Sequence, residues 1–231
     1  MTSSPVWEHH ADTITSCRSC PRLVTWREET ARVKVARFQR QEYWGRPVPG
    51  FGDENARLLI VGLAPAAHGG NRTGRMFTGD SSGNWLYRAL FEYGFANQPT
   101  STHRDDGLVL TDCFVTATCR CAPPGNKPFP AEIVTCRPFL RWEFQHLKNL
   151  RVVLGLGRIG FAAALGVIST LGHEVPVPRP QFSHGAFVEL PSGLTIVGSY
   201  HPSQQNTFTG KLTRRMFHQI FAMIRTHIDP S

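Results

Sequence analysis

The sequence lacks the features of a membrane or fibrous protein. No apolar run approaches the roughly 20 residues that cross a bilayer, and residues 1–16 contain neither the basic nor the apolar segment of a signal peptide. Internal repeats and low-complexity tracts are also absent. We therefore exclude membrane-spanning, collagen-like, coiled-coil and largely disordered proteins, and we expect a protein that is not exported.

Acidic residues are scarce relative to basic ones. The 231 residues include 25 Lys and Arg but only 17 Asp and Glu, which leaves a net charge of +8. Such a charge predicts a polyanionic partner, because cationic side chains that contact phosphates release bound counterions; the alternative is a basic surface without a partner. With 41% hydrophobic residues, the chain is long enough to bury a core without disulfides. We expect one domain over residues 1–231, in which residues 1–16 are flexible.

Four apolar runs predict strands that are buried on both faces of a sheet. They span residues 57–65, 107–118, 151–157 and 193–200. Segments with helical character alternate with them at 83–93, 131–147, 158–166 and 211–228, and Pro138 predicts a kink or a break in the second of these. The alternation predicts an α/β fold, a three-layer α/β/α sandwich with a central four-stranded, mainly parallel sheet. Ligands of such sheets bind beyond the carboxyl ends of the strands.

The six cysteines include two pairs that could ligate one metal centre. Cys17 and Cys20 lie three residues apart, and Cys121 and Cys136 lie fifteen apart. Four thiolates suit either zinc or an iron–sulfur cluster, and the spacing does not distinguish the two. The alternative is scattered buried cysteine. The remaining cysteines fall in a predicted strand region and are expected in the core: Cys113 and Cys119.

A glycine-rich segment follows the first predicted strand. It reads GLAPAAHGGNRTGRMFTGD at 62–80, and its glycines allow tight turns and close approach of a ligand. It matches neither the Walker A nor the GxGxxG pattern. Arg72 and Arg75 are candidates for phosphate contacts, and Phe77 is a candidate for stacking on a base. Asp80 is a candidate for holding a water, with a helix cap as the alternative.

A second polar segment follows the last predicted strand and reads HPSQQNTFTGKLT at 201–213. His201 lies at the strand end, where an imidazole can meet a substrate. The residues after it are polar and basic, as expected of a segment that lies against DNA. A lone histidine is more often structural, so the interest of His201 comes from its position.

Together these motifs resemble the uracil-DNA glycosylase superfamily, most closely its family 5 (type b), the iron–sulfur branch. The matching segments are 62–80, CAPPGNKP at 121–128, CRPFL at 136–140 and 201–213, while CRSCP at 17–21 supplies the first cysteine pair. The resemblance implies a four-stranded parallel sheet between helices. It implies an enzyme that flips a deaminated base out of duplex DNA and hydrolyses its N-glycosidic bond, leaving an abasic site. It also implies a structural 4Fe–4S cluster, held by Cys17, Cys20, Cys121 and Cys136.

The resemblance further implies roles for individual residues. His201 donates a hydrogen bond to the leaving base, Asp80 acts on the water and the sugar, and Asn126 is a further polar candidate for catalysis. The expected substrate-binding residues are Gly62, Leu63, Ala64, Phe77 and Thr116. The expected DNA-binding residues are Arg72, Arg75, Ser203, Gln204, Gln205, Asn206, Lys211 and Arg214.

Two positions depart from other branches of the superfamily. Ala64 stands where the most studied branch has an aspartate, so the carboxylate must come from another position. Thr116 stands where related branches have an asparagine that reads the edge of uracil. Since hydrogen bonding to a base edge is what rejects wrong bases strongly, we expect tolerance of hypoxanthine beside uracil.

The expected partner is double-stranded DNA that contains deaminated bases, bound by a monomer in the cytoplasm, in association with the nucleoid. Two other interpretations stay open. One is a nucleic-acid-binding module without activity, for which the missing aspartate argues. The other is a phosphoester or nucleotide-sugar hydrolase, against which the lack of clustered carboxylates for a metal argues.

Overall fold

The computed structural model describes residues 4–229. Six strands of this range form one sheet: β1 (Phe51–Gly52), β2 (Leu58–Gly62), β3 (Cys113–Ala117), β4 (Val152–Leu156), β5 (Phe187–Glu189) and β6 (Thr195–Ser199). The α-helices are α1 (Pro5–Thr15), α2 (Pro21–Val33), α3 (Gly70–Thr73), α4 (Ser81–Glu92), α5 (Pro130–His146), α6 (Gly157–Thr170), α7 (Gln204–Phe208) and α8 (Arg214–Ile228). Short 3₁₀ helices form at Ala36–Phe38 and Pro124–Asn126.

The sheet confirms the predicted α/β class but has six strands rather than four. Its order is β1-β3-β2-β4-β6-β5, and the four central strands are parallel. They are the four apolar runs of the sequence. The two additional strands lie antiparallel at the edges and are two and three residues long. Such short, half-exposed edge strands leave no apolar run in the sequence, because neither face is fully buried.

Helices cover both faces of the sheet, as the three-layer prediction requires. Successive side chains of a strand point to opposite faces. Leu58 and Ile60 of β2 therefore enter the core beneath α4 and α8, and Leu59 and Val61 enter the core beneath α5 and α6. The five residues of each central strand are all buried, which explains why these strands are uninterrupted apolar runs.

The sequence also makes predictions for two segments outside the sheet. In the first, which is expected to be flexible, α1 forms and packs on α5: the ring of His10 stacks on Trp142 with centroids 3.7 Å apart, and Ile14 is buried. Of the segment expected to be flexible, residues 1–3 lie outside the described range. In the second segment, α5 continues through Pro138, so the proline does not break the helix, and the expected kink stays a prediction.

Candidate active site

The carboxyl ends of β2 and β6 bring the two candidate segments together. The glycine-rich segment leaves β2 at Gly62 and turns back so that the Phe77 ring covers this glycine. A Cβ at position 62 would lie 2.7 Å from the ring, so only glycine fits. Phe77 itself has a positive φ of 52°, a strained conformation for a bulky residue. The adjacent backbone is held by the Tyr87 hydroxyl, which donates to the Met76 carbonyl at 2.7 Å.

His201 faces Phe77 from the end of β6. The two ring centroids are 5.7 Å apart and the planes are inclined by 28°. The Asn206 side chain donates to the His201 carbonyl at 2.8 Å, which ties the backbone of the second segment to α7. Burial lowers the pKa of His201 to about 4. The imidazole is therefore neutral near pH 7, with one ring nitrogen protonated and able to donate.

Asp80 ends the glycine-rich segment and caps α4. Its carboxylate accepts a hydrogen bond from the Gly83 amide at 2.9 Å, so the helix-cap interpretation is confirmed. The carboxylate also packs on Gly69, where an added Cβ would lie 2.1 Å from an Asp80 oxygen. Burial raises the pKa of Asp80, while backbone N–H donors and the charge of Arg72 act in the opposite direction. The cap contact does not decide whether Asp80 also holds the attacking water, so that role stays a prediction.

The two arginines of the glycine-rich segment are placed inside the fold, not toward a phosphate. Arg75 is buried and pairs with Asp106 at 2.8 Å. Arg72 is buried too: its guanidinium donates to Gln41 at 2.6 Å and to the Gly79 carbonyl at 2.9 Å. Both side chains brace the turns of segment 62–80. Their donors are already bonded within the protein, which argues against the expected DNA contacts of these two residues.

Thr116 lies in β3 beside Gly62, the glycine that the Phe77 ring covers, and its expected role in reading the base stays a prediction. It lies on the face of β3 that packs on α5, where its buried hydroxyl donates to Glu143 at 2.8 Å and accepts from Arg120. The hydroxyl is therefore used by a buried network. Asn126, by contrast, is exposed in a turn after β3 and has a φ of 57°.

The second segment forms an exposed basic surface beside His201. Ser203 caps α7, Gln204 and Gln205 are exposed in its first turn, and Lys211 and Arg214 follow it. Both cations are exposed, and an aromatic ring orients each side chain: Lys211 lies over the Tyr200 ring and Arg214 lies over the Trp85 ring. Phe208, at the end of α7, is 81% exposed. The sequence analysis did not select Phe208, although it is the one aromatic residue of this polar segment.

The four predicted ligand cysteines lie in α5 and at the ends of three other elements, α1, α2 and β3. Cys17 follows α1, Cys20 precedes α2, Cys121 follows β3 and Cys136 lies in α5. Burial raises the pKa of Cys20, and the neighbouring thiols of Cys136 and Cys17 raise it further. These three thiols are therefore close enough to interact electrostatically. Arg27 donates to Cys121 Sγ at 2.9 Å and the Arg120 amide donates to Cys136 Sγ at 3.3 Å.

Four sulfur donors, two of which accept hydrogen bonds from N–H groups, are compatible with an iron–sulfur cluster. Among residues 4–229, no group of three or more His, Cys, Asp or Glu side chains is arranged to hold a metal ion. Cys113 lies in the core as expected. Cys119 is buried too, and it contacts a predicted ligand: its thiol donates to Cys136, which lowers the pKa of Cys136.

Comparison with known proteins agrees with this site. The sequence profile of the uracil DNA glycosylase superfamily matches residues 49–225, and the chain belongs to that superfamily. The chain is 52% identical over 209 residues to the type-5 uracil-DNA glycosylase of Mycobacterium tuberculosis, which covers 90% of this chain and 76% of that protein. It is 49% identical over 213 residues to the type-5 uracil-DNA glycosylase of Thermus thermophilus, covering 92% and 94%.

The similarity to another type is lower. The type-4 uracil-DNA glycosylase of Pyrobaculum aerophilum is 28% identical over 163 residues, or 70% of this chain and 74% of that protein. The resemblance to family 5 that the motifs indicate is therefore confirmed. In the described range no helix is both long and apolar enough to span a membrane.

Proposed function

We propose that this chain is a type-5 uracil-DNA glycosylase, which removes uracil from DNA by hydrolysing the N-glycosidic bond and leaves an abasic site. The observation that carries the proposal is the meeting of Phe77 and a neutral His201 at the carboxyl ends of β2 and β6, in a chain of this superfamily. The substrate is a deaminated base in double-stranded DNA, flipped out of the stack to reach these residues.

The ring spacing indicates how the base sits. A ring inserted between two others needs about 7 Å between them, since stacked carbon atoms lie about 3.5 Å apart. The Phe77 and His201 centroids are 5.7 Å apart, so the base stacks on Phe77 alongside the imidazole rather than between the rings. Backbone amides of Gly62, Leu63 and Ala64 line the same strand end and add donors to the base.

The base leaves as an anion while the sugar becomes a cation. His201 donates an N–H to a base oxygen, and this hydrogen bond strengthens as negative charge develops, so it lowers the barrier rather than only binding substrate. Asp80 acts on the other side, where its carboxylate orients the attacking water and stabilises the positive sugar. Asn126, exposed after β3, is a second polar group for the water.

The surface of the second segment binds the DNA backbone. Lys211 and Arg214 supply cations for phosphates, and Ser203, Gln204, Gln205 and Asn206 supply polar contacts. Phe208 is the apolar side chain available to fill the position that the flipped base vacates, as exposed wedges do in other DNA-binding proteins.

The cofactor in this proposal is a 4Fe–4S cluster on Cys17, Cys20, Cys121 and Cys136. Its contribution is structural: it joins the end of α1 and the start of α2 to α5.

Position 116 offers no amide to the base, which supports excision of hypoxanthine beside uracil. We also propose that the chain acts as a monomeric single domain in the cytoplasm, in association with the nucleoid.

Release of free uracil from a uracil-containing duplex tests the proposal. The wild type is expected to release uracil and leave an abasic site, and a duplex with cytosine in place of uracil serves as control. Tight binding without release would favour a binding module, and cleavage of a phosphoester would favour a hydrolase.

Anaerobically purified protein is expected to contain about four iron and four sulfide per chain, and a single zinc would contradict the cluster.

A further inference from the structure

Arg27 is a buried cation whose closest contact is a sulfur. The side chain lies in α2 and is 2% exposed. Its guanidinium donates to Cys121 Sγ at 2.9 Å and to the Cys17 carbonyl at 3.3 Å, and its Nε is buried without a hydrogen-bond partner among the described residues. A buried charge is costly unless a charge of opposite sign compensates it.

Two other buried arginines, Arg75 and Arg120, have such a partner, whereas the donors of the buried Arg72 meet neutral groups, the Gln41 side chain and the His68 and Gly79 carbonyls. Arg75 lies 2.8 Å from Asp106, and Arg120 lies 2.6 Å from Glu143. Arg27 also forms a long ion pair with Glu28, at 3.6 Å, but the Glu28 side chain is 43% exposed and is bonded more closely to Arg18. Four thiolates that hold a cluster carry a net negative charge, so the sulfur centre is the group that can neutralise Arg27.

Arg27 is also bonded to the glycine-rich segment. The side chain of Asn71, which is fully buried in α3, donates to the Arg27 carbonyl at 3.2 Å. The Asn71 carbonyl in turn accepts from the Gly45 amide at 3.0 Å. One residue of α2 therefore contacts a cluster ligand through its side chain and the substrate-binding segment through its backbone.

We propose that Arg27 is a positioning residue that supplies the counter-charge of the iron–sulfur cluster and, through Asn71, makes the order of segment 66–80 depend on cluster occupancy. This inference rests on the cluster of the proposed function. The cation stabilises the thiolates that bind iron and favours the reduced, more negative cluster. When the cluster is absent, the buried guanidinium loses its counter-charge, and α2 with its bonded segment is loosened.

The test compares Arg27→Gln, which keeps an N–H donor but removes the charge, with Arg27→Lys, which keeps the charge. Arg32→Gln is the matched control, since Arg32 lies in the same helix, is 73% exposed and pairs with Glu29. In holoenzyme exposed to an iron chelator, Arg27→Gln is expected to lose its cluster absorbance about 10- to 100-fold faster than the wild type. Its cluster reduction potential is expected to be more negative, whereas Arg27→Lys and Arg32→Gln keep potentials near the wild-type value.

A measurement on the wild type covers the case in which Arg27→Gln does not fold. Chelator removal of the cluster is expected to accelerate amide hydrogen exchange in segment 66–80 and in α2 more than in α8. Equal acceleration in all three would overturn the coupling, and an unchanged rate of cluster loss in Arg27→Gln would overturn the counter-charge. If the wild type itself contains no iron and sulfide, it is the cluster of the proposed function that fails.

Discussion

Burial, rather than a charged neighbour, controls the protonation of His201. Desolvation lowers the pKa of this imidazole to about 4 from the ordinary 6.5, because a buried site disfavours the charged form. The neutral ring matches its proposed task. A leaving base that gathers negative charge needs one aligned N–H, which the neutral imidazole provides. A protonated imidazole with a raised pKa is not required.

The pH dependence of excision follows from this value. The single-turnover rate is expected to show no inflection near pH 6.5 when measured from about pH 8 to about pH 5, since His201 stays neutral there. Stability behaves differently. The unfolded chain binds the proton before the folded chain does, so the contribution of His201 to stability is lost as pH falls from 6.5 to about 4. A fall in rate centred near 6.5 would contradict the assignment.

Replacement of His201 by alanine is expected to slow excision and to change the order of substrates. Loss of such a donor costs about 100- to 1000-fold in rate, and since the side chain touches the base, the ratio of uracil to hypoxanthine excision changes as well. Single-turnover excision of both bases from duplex DNA measures this. An unchanged ratio in a slow His201→Ala enzyme would place the imidazole away from the base.

Asp80 offers a substitution that separates capping from catalysis. Asn is as good an N-cap as Asp, so Asp80→Asn is expected to keep the melting temperature while it slows excision of uracil and hypoxanthine to a similar extent, because both share the same sugar. Asp80→Ala is expected to lose about 1 kcal/mol of stability in addition. Near-normal uracil excision by Asp80→Asn would exclude the carboxylate from the reaction.

At the scale of elements, a buried polar network joins β3 to α5. Arg120 follows β3 and pairs with Glu143 of α5 at 2.6 Å, and Thr116 bonds to both. The Arg120 amide also donates to Cys136 on the same helix. The network explains how polar residues occupy the interior of a sandwich, because each has partners there, and it positions the helix that carries the fourth cysteine.

Glu143→Ala is expected to destabilise the protein by about 3–5 kcal/mol, because it leaves the Arg120 charge buried and unpaired. Chemical denaturation with iron content checked before unfolding measures the change. Arg88→Ala removes one partner of an exposed pair with Glu92 and serves as control, with an expected cost below about 1 kcal/mol. Equal costs for the two variants would show that the buried pair has no special importance.

At the scale of the whole molecule, the net charge of +8 is divided between interior and surface. Arg27, Arg72, Arg75 and Arg120 are buried, so they brace the fold. The exposed cations beside His201 remain available for phosphates. Net charge thus indicates the class of partner, but only the fold separates the cations that are exposed to a partner from those that hold the chain together.

Binding to duplex DNA is expected to weaken steeply with salt, with a slope of about −0.9 in log affinity against log salt for each phosphate neutralised. Lys211→Ala is expected to reduce the magnitude of this slope by about 1. Phe208→Ala is the matched control from the same surface: it carries no charge, so affinity for an abasic duplex falls while the slope stays the same. A salt-independent affinity would contradict phosphate binding altogether.

Much of the fold follows from contiguous stretches of sequence. The four central strands are short apolar runs. They can be predicted without tertiary information, because a strand buried on both faces is apolar at nearly every position. The two long motifs are contiguous as well. They therefore identify the family and the position of His201 at a strand end before any coordinate is known.

The remaining features depend on contacts between residues far apart in the chain. The edge strands exist through pairing with β3 and β6, and α1 is ordered by stacking on Trp142. Arg75 and Thr116 have the residue types of a binding site, yet Asp106 and Glu143 use their donors within the fold. The same holds for Arg27 beside Cys121. Composition and spacing cannot show such pairings, because a polar side chain is free for a ligand only when no distant residue has already satisfied it.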